Sequence, residues 1–452
     1  MRADPTAVVR SSASRLPEAI GVGRIFRETE KPLFGLFFGT VANIQILIAR
    51  SSGGIYTHVV RKASVFQSVR CVFRCMTEWR ESGTQTVSED LTDEANALPA
   101  EYFTDPGVLE MENDKVFGQY WVYAGHANCI ETPGELFTRT VGDRQLIILR
   151  DHDGEIRAFD NVCAHRGSKI VEDTPMTDPA SAKRLRCPYH LWTFDLDGEL
   201  KSTPESFEDA RMNPDLHDES VTGFDAEANA LNSVHVDRIG PLIFVNLSDD
   251  PMPLAEQAGV MKDRLEALPL GEYQHATRIV SEVECNWKVF SSNYSECDHC
   301  QANHQDWIKG ISLNESELEV NDYHWVLHYT HAQDVDDEMR IHDEHEAQFH
   351  YLWPNMTVNM YGTADGYGTY IVDPIDVDRF QLIADYYFRG SKLSDEEREF
   401  IRTSRQLQEE DFELVERQWD GLKTGALAQA QLGPNEHTVH RFHQLAQEAY
   451  NS

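Results

Sequence analysis

The sequence predicts an α+β protein in which an all-β module precedes a module that combines helices with an antiparallel sheet. Three observations predict this class. Short apolar-rich runs separated by turn residues occupy the chain from Val116 to about Leu247, which is typical of β-strands. The run Asp250-Pro251-Met252-Pro253 then marks a boundary, since two prolines interrupt regular structure. Beyond it, helical and strand patterns alternate irregularly, as they do in α+β domains.

These patterns divide the chain into four segments. We expect residues 1–75 to be a leader or extension outside the core, and residues 76–115 to be an acidic segment on the surface. Residues 116–250 are expected to form the all-β domain, called here the β module. Residues 251–452 are expected to form the α+β domain, called here the α+β module.

The individual elements follow from local pattern. In the β module we predict strands at 120–125, 144–151, 155–162 and 241–247. In the α+β module we predict a helix at 261–268, a strand at 323–333 and a hairpin at 368–388. Ser394 and Glu397 have the spacing of a capping box, so a charged amphipathic helix should begin there and continue to about Gly421.

Composition excludes some functions. The 452 residues contain 76 Asp and Glu against 40 Lys and Arg, a net charge of −36. Such a surface repels nucleic acid and anionic membranes, so no nucleic-acid partner is expected and membrane binding is disfavoured. Eight cysteines are too few for a disulfide scaffold. A dense carboxylate surface suits a salt-rich cytoplasm and a halophilic source, and the alternative is an ordinary acidic cytosolic enzyme.

The first 75 residues differ from the rest, with a net charge of +7 against −43 for the remainder. They include an uncharged stretch, residues 32–49, which is close to the minimum length for a membrane span. Asn43 and Gln45 weaken that interpretation. Three hypotheses remain open: a start site assigned too early with Met76 as the true start, a targeting segment, or a genuine anchor or extra element.

Two Cys-His pairs form the first chemical motif. Cys163 and His165 lie in one strand-end loop, and Cys187 and His190 lie in a second. Two thiolates and two imidazoles can bind a tetrahedral zinc ion or a [2Fe–2S] cluster with two histidine ligands. The spacing favours the cluster, because each loop mixes the two ligand types and so gives one ligand to each iron.

A carboxylate and two histidines form the second motif, within residues 285–307. Glu296 and His299 would be neighbours on a helix, whereas His299 and His304 would need local unwinding to reach one metal. Two imidazoles and a carboxylate leave open positions on Fe²⁺ for oxygen and substrate. Cys297 and Cys300 flank His299, and they could form a zinc site or a redox pair, or they could be ordinary buried residues.

Both motifs resemble those of Rieske non-haem iron oxygenases, the aromatic-ring-hydroxylating alpha-subunit family. The sequences CAHRG (163–167) and CPYHLWTFDLDGEL (187–200) are similar to its two cluster loops, and the resemblance extends from about Val116 to the C-terminus. It implies a Rieske domain followed by a helix-grip-like catalytic domain. Two departures stand out: a loop insertion at 177–183, and Leu191 where the family usually has glycine.

The resemblance also implies roles for individual residues. His299 and His304 would be ligands of a mononuclear Fe²⁺, and Glu296 would be the carboxylate that links an iron-ligand histidine to a cluster histidine of the next subunit. A homotrimer is therefore expected. The segment 406–427 resembles the family motif that supplies the third ligand, which corresponds to Asp411. The nearby competitors for that role are Glu409, Glu410 and Asp420.

The predicted activity is that of a terminal oxygenase that takes electrons from a ferredoxin or flavin reductase and uses O₂ on a small molecule. Aromatic residues expected to line the pocket are Tyr351, Trp353, Tyr361, Tyr367 and Tyr370. They suit a quaternary ammonium group or an aromatic ring. Resemblance to choline and glycine-betaine monooxygenases favours the former. The alternatives are a ring-hydroxylating dioxygenase of aromatic acids, a Rieske electron carrier without oxygenase activity, and a zinc hydrolase.

Overall fold

The computed structural model describes residues 35–41, 44–51, 54–61, 96–204, 227–331, 347–390 and 392–452. The three short ranges belong to one unit, and the residues from 96 onward belong to another. The first unit is an antiparallel sheet of β1 (Gly35–Val41), β2 (Ile44–Ser51) and β3 (Gly54–Arg61). The uncharged stretch thus contributes strands from Gly35 onward. Among the described residues, no helix is long and apolar enough to cross a membrane. Met76 lies outside the described residues.

The described part of the second unit begins with the segment expected on the surface, and its residues 96–115 include buried as well as exposed side chains. Its elements are β4 (Asn96–Pro99), α1 (Glu101–Thr104) and α2 (Pro106–Lys115). Leu98 and Phe103 are buried in the main core, and Glu112 is fully buried. Glu112 accepts hydrogen bonds from Lys288 Nζ at 2.7 Å and Trp287 Nε1 at 2.8 Å. An acidic residue in this segment therefore pairs inside the protein, which charge content alone does not reveal.

The β module forms two antiparallel sheets. Its strands are β5 (Val122–His126), β6 (Glu135–Val141), β7 (Arg144–Arg150), β8 (Ile156–Asp160), β9 (Ala180–Ser181), β10 (Leu185–Arg186), β11 (Thr193–Phe194), β12 (Leu200–Ser202), β13 (Ser233–Ile239) and β14 (Leu242–Asn246). The larger sheet has the order β5-β14-β13-β8-β7-β6-β9, and the smaller has the order β10-β11-β12. The loop insertion supplies β9, which pairs with β6 at the sheet edge. The all-β prediction is confirmed.

The α+β module has seven strands in one antiparallel sheet, ordered β15-β21-β20-β19-β18-β17-β16. Its strands are β15 (Gln274–Val283), β16 (Ile311–Val320), β17 (His324–His331), β18 (Ala347–Leu352), β19 (Met356–Tyr361), β20 (Gly366–Asp376), β21 (Arg379–Phe388) and, paired with β4, β22 (Gln429–Gln431). Its helices are α3 (Leu254–Ala258), α4 (Val260–Ala267), α5 (Trp287–Tyr294), α6 (Cys300–Asn303), α7 (Asp395–Lys423) and α8 (His437–Asn451). Single 3₁₀ turns occur at Ala127–Cys129, Glu227–Asn229, Leu270–Glu272 and Trp307–Lys309.

The long helix α7 lies against this sheet and carries part of the site described below. The predicted capping box is present, since Ser394 Oγ accepts from Glu397 N–H and the Glu397 side chain accepts from Ser394 N–H. Phe400 of α7 packs edge-on against Tyr361 of β19 and Phe388 of β21. A helix held on one face of an antiparallel sheet is the predicted helix-grip arrangement. The predicted α+β class is confirmed, and the domain boundaries at 116 and 251 stay predictions.

Candidate metal centres

Two equivalent loops of the β module bring the Cys-His pairs together. The first follows β8, and the second connects β10 to β11. In the first loop, Gly167 N–H donates to the carbonyl of Cys163 at 2.9 Å, and in the second, Leu191 N–H donates to the carbonyl of Cys187 at 3.1 Å. Each loop is thus a turn of the same length, closed by its own backbone hydrogen bond.

The four predicted ligands meet at the tips of these loops. The rings of His165 and His190 have centroids 4.7 Å apart, and Cys163 and Cys187 are buried free cysteines. Burial raises the pKa of the Cys163 thiol, a cost that binding to a cation would remove. Two sulfur and two nitrogen donors from paired loops suit a [2Fe–2S] cluster with mixed ligands.

The second loop explains why glycine is usual where this chain has Leu191. Leu191 has φ 62°, in the left-handed region, and the equivalent Gly167 has φ 72°. A side chain with a Cβ is strained there, at a cost of roughly 1–2 kcal/mol. The second loop nevertheless has the same backbone closure as the first, since Cys187 N–H donates to the carbonyl of Trp192 at 2.9 Å and Cys163 N–H donates to that of Ser168 at 2.8 Å.

The surface around the loop tips combines exposed apolar side chains with one exposed cation, Arg166, which lies 5.5 Å from the ring centroid of Tyr189. Val162 is 48% exposed, Tyr189 is 59% exposed and Leu191 is 46% exposed. His165 and His190 lie half-buried between them. Apolar groups exposed around a functional site indicate a surface that contacts another protein.

The second centre is assembled from two distant parts of the α+β module. The helix α5 ends at Tyr294, His299 immediately precedes α6, and His304 immediately follows it. The expected break in the helix is therefore present. Asp411 comes from α7, and its Oδ1 lies 3.2 Å from Nε2 of His299 and 3.2 Å from Nε2 of His304.

Two further carboxylates hold the imidazole rings. His299 Nδ1 donates to Glu296 Oε1 at 2.5 Å, and His304 Nδ1 donates to Glu410 Oε2 at 2.7 Å. When the rings are neutral, both Nε2 atoms therefore keep their lone pairs, as metal ligation requires. Glu296 and His299 meet through a turn rather than on a helix, contrary to expectation. Sequence reasoning considered Glu410 only as a competing ligand, and spacing gives no signal for its contact with His304.

The donor set fits a cation. Asp411 Oδ1 is buried, and among the described residues no donor makes a hydrogen bond to it with suitable geometry. Burial alone raises the pKa of Asp411, but its two imidazole neighbours outweigh this and lower the pKa. Burial lowers the pKa of His299, but Asp411 and Glu296 outweigh it and raise the pKa to about 10. The carboxylates therefore stabilise positive charge at the point where the three donors face each other.

A small cavity of about 70 Å³ opens beside this centre. Its lining residues include Phe290, Asn293, Tyr294, Glu296, Cys297, His299, Cys300, His304, Trp307, Leu327, Tyr329, Phe349, Asn359, Tyr361, Tyr370, Ser404, Leu407, Gln408 and Asp411. Among these described residues there is no lysine or arginine. Of the predicted aromatic residues, Tyr361 and Tyr370 line it.

The other three predicted aromatic residues do not line this cavity. Tyr351 and Trp353 pack against Phe442 of α8 in the core, and Tyr367 pairs with His126 of the β module at 2.8 Å. Sequence reasoning missed Trp307, Tyr329 and Phe349, because their approach depends on how β17, β18 and a 3₁₀ turn fold together.

A second recess of about 260 Å³ lies behind the same motif and shares Glu296 and His299 with the first cavity. Its apolar lining comes from Leu98, Phe103, Leu414, Leu422, Leu432 and Val439. Glu296, the candidate bridging carboxylate, thus lines both cavities. Asp411 lines the first cavity and is not among the residues that line the second.

Comparisons with known proteins identify the domain that carries each site. Residues 120–211 match the model of the Rieske [2Fe-2S] domain, and residues 270–452 match that of the ring hydroxylating alpha subunit catalytic domain. The carnitine monooxygenase oxygenase subunit of Escherichia coli (strain K12) is 28% identical over 372 residues, 79% of this chain and 94% of the relative. The glycine betaine monooxygenase oxygenase subunit of Chromohalobacter salexigens is 30% identical over 216 residues, 48% of this chain and 45% of the relative.

A solved structure has the same fold. The quaternary ammonium Rieske monooxygenase CntA in complex with L-carnitine is 25% identical with a TM-score of 0.67, over 82% of this chain and all of CntA.

The fold and the two centres define a Rieske-type oxygenase. The chain belongs to the Rieske non-haem iron oxygenases, with a Rieske domain and a ring-hydroxylating alpha-subunit catalytic domain. The cofactors of this family are a [2Fe–2S] cluster and a non-haem iron, and its members take electrons from a partner and act on small molecules with O₂. A Rieske electron carrier and a zinc hydrolase are therefore set aside.

Proposed function

We propose that this oxygenase hydroxylates an N-methyl carbon of a quaternary ammonium or betaine compound, which leads to demethylation. The observation that carries the proposal is an aromatic box beside the metal centre, made of Trp307, Tyr329 and Phe349. In the same cavity, no described lining residue is a lysine or arginine. A permanent cation finds attractive ring faces there and no competing positive side chain.

The geometry of the aromatic box supports this assignment. Trp307 has its ring centroid 5.3 Å from that of Tyr329 and 5.7 Å from that of Phe349, and the latter two are 5.6 Å apart. All three pairs meet edge to face, so the rings present faces in different directions. The ring centroid of Trp307 is 6.2 Å from that of His304. A trimethylammonium group held here would have a methyl carbon close to the metal ligands.

The named substrates of the relatives support the same class. The relatives described above act on carnitine or glycine betaine, and CntA has been solved with L-carnitine. These compounds share a trimethylammonium group and differ in the rest of the molecule. We therefore assign the class to this chain and leave the individual compound open.

We assign the ligands as the sequence predicts. Cys163, His165, Cys187 and His190 would hold the cluster, and His299, His304 and Asp411 would hold the iron. When bound, the cluster supplies single electrons and the iron activates O₂ at its open positions. Glu296 and Glu410 would orient the two imidazoles through Nδ1. The aromatic box would position the methyl carbon, and the apolar walls would exclude water from it.

We further propose that electrons cross between subunits of a homotrimer. Two observations support it: apolar side chains are exposed at the loop tips that carry His165 and His190, and Glu296 lies in a second recess whose lining is partly apolar. A loop tip of one subunit seated in the recess of the next would put a cluster histidine beside Glu296. A ferredoxin or flavin reductase would supply the electrons, in the cytoplasm of a salt-rich cell.

An aromatic acid is the second candidate substrate, and the cavity favours it less. Its ring could lie against the aromatic box, whose three rings pack directly on one another. Unlike glycine betaine or carnitine, whose carboxylate is accompanied by the molecule's own ammonium, an aromatic acid would bring a net negative charge into a space that already contains Glu296 and Asp411 and, among the described residues, has no lysine or arginine lining. Burying an anion without a positive partner is costly.

Substrate-dependent oxygen consumption tests the proposal. Purified protein with a surrogate reductase should consume O₂ and release formaldehyde with choline, glycine betaine or carnitine-like amines. The neutral isostere 3,3-dimethylbutan-1-ol, in which carbon replaces nitrogen, should support little turnover. Trp307→Leu should raise KM by about 2- to 30-fold, the range of a cation–π contact, and Trp307→Phe should raise it less. Turnover of the isostere at the rate of choline would overturn the substrate class.

A further inference from the structure

Cys297 and Cys300 flank His299, and in the structure they form a disulfide with their Cα atoms 5.0 Å apart. Both residues line the cavity beside the metal centre. Cys300 is buried and Cys297 is half-buried. The pair is therefore part of the wall of the active site, and the assigned mechanism gives it no role.

The sulfur of Cys300 lies among the metal donors. Its Sγ is 4.0 Å from Nε2 of His299. One donor atom each from His299, Cys300 and His304 lie within 4.8 Å of one another, a spacing at which all three could bind one ion. Asp411 Oδ1 faces both histidines, so a reduced Cys300 would complete a set of two nitrogens, one sulfur and one oxygen.

The oxidation state of this sulfur changes the kind of metal that the site prefers. A disulfide sulfur has no thiolate charge and is a poor ligand, so the oxidised site offers two imidazoles and one carboxylate. That set leaves open positions and is typical of non-haem Fe²⁺ oxygenases. A thiolate adds a soft fourth ligand, and four ligands of this kind are typical of closed tetrahedral zinc sites.

We propose that Cys297 and Cys300 are a redox-active pair that sets the metal preference of the mononuclear site. With the disulfide formed, the site is an open site for Fe²⁺. With the disulfide reduced, the Cys300 thiolate joins the donor set, which favours Zn²⁺ and closes the position needed for O₂. Oxidation of the pair would thus keep the site able to bind Fe²⁺ and O₂. Excess thiol together with zinc would inactivate the oxygenase.

Reduction of the disulfide needs a small thiol, and its re-formation needs a peroxide. Two molecules of a small thiol supply two electrons and two protons, the S–S bond breaks to give two protein thiols, and the small thiols leave as one disulfide. The Cys300 thiol then loses its proton to water when it binds the metal. A peroxide reverses the reduction, because H₂O₂ takes two electrons and two protons from the thiols and leaves as two waters. The half-buried Cys297 is the more accessible sulfur for attack.

Metal binding rather than turnover provides the test. Full-length protein with its cluster in place is stripped of mononuclear metal by a chelator, and half of it is reduced with dithiothreitol and desalted without air. Zinc affinity is measured by competition with a chromophoric chelator, and zinc X-ray absorption reports the ligands. Reduction should raise zinc affinity by about tenfold or more, a size that altered surroundings produce at metal sites. It should also add one sulfur scatterer at about 2.3 Å from zinc.

Two variants separate the roles of the cysteines. Cys297→Ser leaves the Cys300 thiol without a disulfide partner, so it should show the zinc–sulfur contact without reduction. Cys300→Ser removes the ligand, so its zinc affinity should not respond to dithiothreitol. Cys129→Ser, at a half-buried free cysteine of the β module, should respond as the unaltered protein does. Alkylation followed by mass spectrometry reports whether each variant and the unaltered protein contain the disulfide.

Three outcomes would overturn the proposal. The first is alkylation of both Cys297 and Cys300 in air-equilibrated protein, since no disulfide would then exist. The second is zinc bound without sulfur in the reduced protein, which would remove Cys300 from the site and leave the histidine ligands in place. The third is no zinc binding in either state, which would reject the assignment of His299 and His304 as ligands as well.

Discussion

The two metal centres of this chain are built in different ways. At the loop tips of the β module, each ligand pair comes from one short turn, and backbone hydrogen bonds to the carbonyls of Cys163 and Cys187 close both turns. At the mononuclear centre, His299 and His304 meet Asp411 from a helix more than a hundred residues later along the chain. The carboxylates of Glu296 and Glu410 hold these histidines through side-chain hydrogen bonds.

The difference shows where each site is vulnerable. A centre held by its own backbone tolerates side-chain changes around it, provided that the turns can form. A centre held by side chains from separate elements depends on each of those side chains and on the packing that brings the elements together. Substitutions at the mononuclear centre should therefore have large effects, and substitutions of loop residues other than the four assigned cluster ligands should have small ones.

The largest effect is expected at Asp411. Asp411→Ala removes the only assigned ligand that α7 supplies, so mononuclear iron content and turnover should both fall by about 100-fold or more, beyond the loss that outer partners cause. The visible spectrum of the cluster should stay, because the loops do not involve α7. Metal analysis and absorbance check both points. Glu409→Ala is the matched control, since Glu409 is exposed and, within the described part of the chain, forms its ion pair with the nearby Arg405. Turnover that survives in Asp411→Ala would reassign the ligand.

A smaller effect is expected at Glu410, which contacts the assigned ligand His304 and is not itself an assigned ligand. Glu410→Gln keeps an acceptor for His304 Nδ1 but removes the negative charge that favours the cation. Iron affinity should fall by about 10- to 100-fold, measured by competition with a chelator. Glu409→Gln, next to it on the exposed face, should leave the affinity unchanged. Equal losses in the two variants would mean that the general charge of α7 matters and the hydrogen bond does not.

The two centres are not equally easy to recognise in the sequence, because one is built from short motifs and the other from separate elements. Cys163, His165, Cys187 and His190 lie in two short motifs, so pattern alone identifies them. Asp411 was selected by family resemblance, although its position has a physical signal: Phe400, Ser404, Gln408, Val415 and Trp419 are the buried residues of α7. Asp411 falls on that stripe at helical spacing, and Glu409 and Asp420 do not.

The cavity lining was harder to predict. Tyr361 and Tyr370 were selected from strands whose pattern is clear. Trp307 lies in a 3₁₀ turn and Tyr329 on β17, and neither position shows in the sequence that it faces the metal. The burial of Glu112 and the role of Glu410 were missed because each depends on a partner far along the chain. The positions of these four residues depend on tertiary contacts, which local sequence pattern does not encode.

The pH dependence of folding stability should report on the packing around His443, behind the mononuclear centre. His443 is buried, accepts from Leu98 N–H through Nδ1 and contacts Ser292 Oγ of α5 through Nε2 at 3.0 Å. Burial, aided by His440 and Lys288, lowers its pKa to about 3. The unfolded chain therefore binds a proton below pH 6.5 that the folded chain does not. Folding stability should be full above that pH and should decline as pH falls towards 3.

His443→Gln isolates this contribution, because glutamine can donate and accept but does not titrate. Between pH 6 and 4, the free energy of unfolding of the unaltered protein should decline more steeply than that of the variant. The difference should be up to about 1.4 kcal/mol per pH unit, the value for one proton. Urea unfolding at several pH values measures it. Parallel pH dependences would show that His443 is protonated in the folded protein.

The smallest effect is expected at Leu191, where it tests whether the loops depend on backbone shape. Leu191→Gly relieves the left-handed strain but adds freedom to the unfolded chain, so a net gain of about 0.5–1 kcal/mol is expected. Leu191→Ala keeps the Cβ and should give no gain, and Gly167→Ala should destabilise the equivalent turn. Urea unfolding followed by cluster absorbance measures all three. Equal stability of the Gly and Ala variants would show that the exposed leucine side chain, rather than backbone strain, decides the stability of the second loop, and the two loops would then not be equivalent.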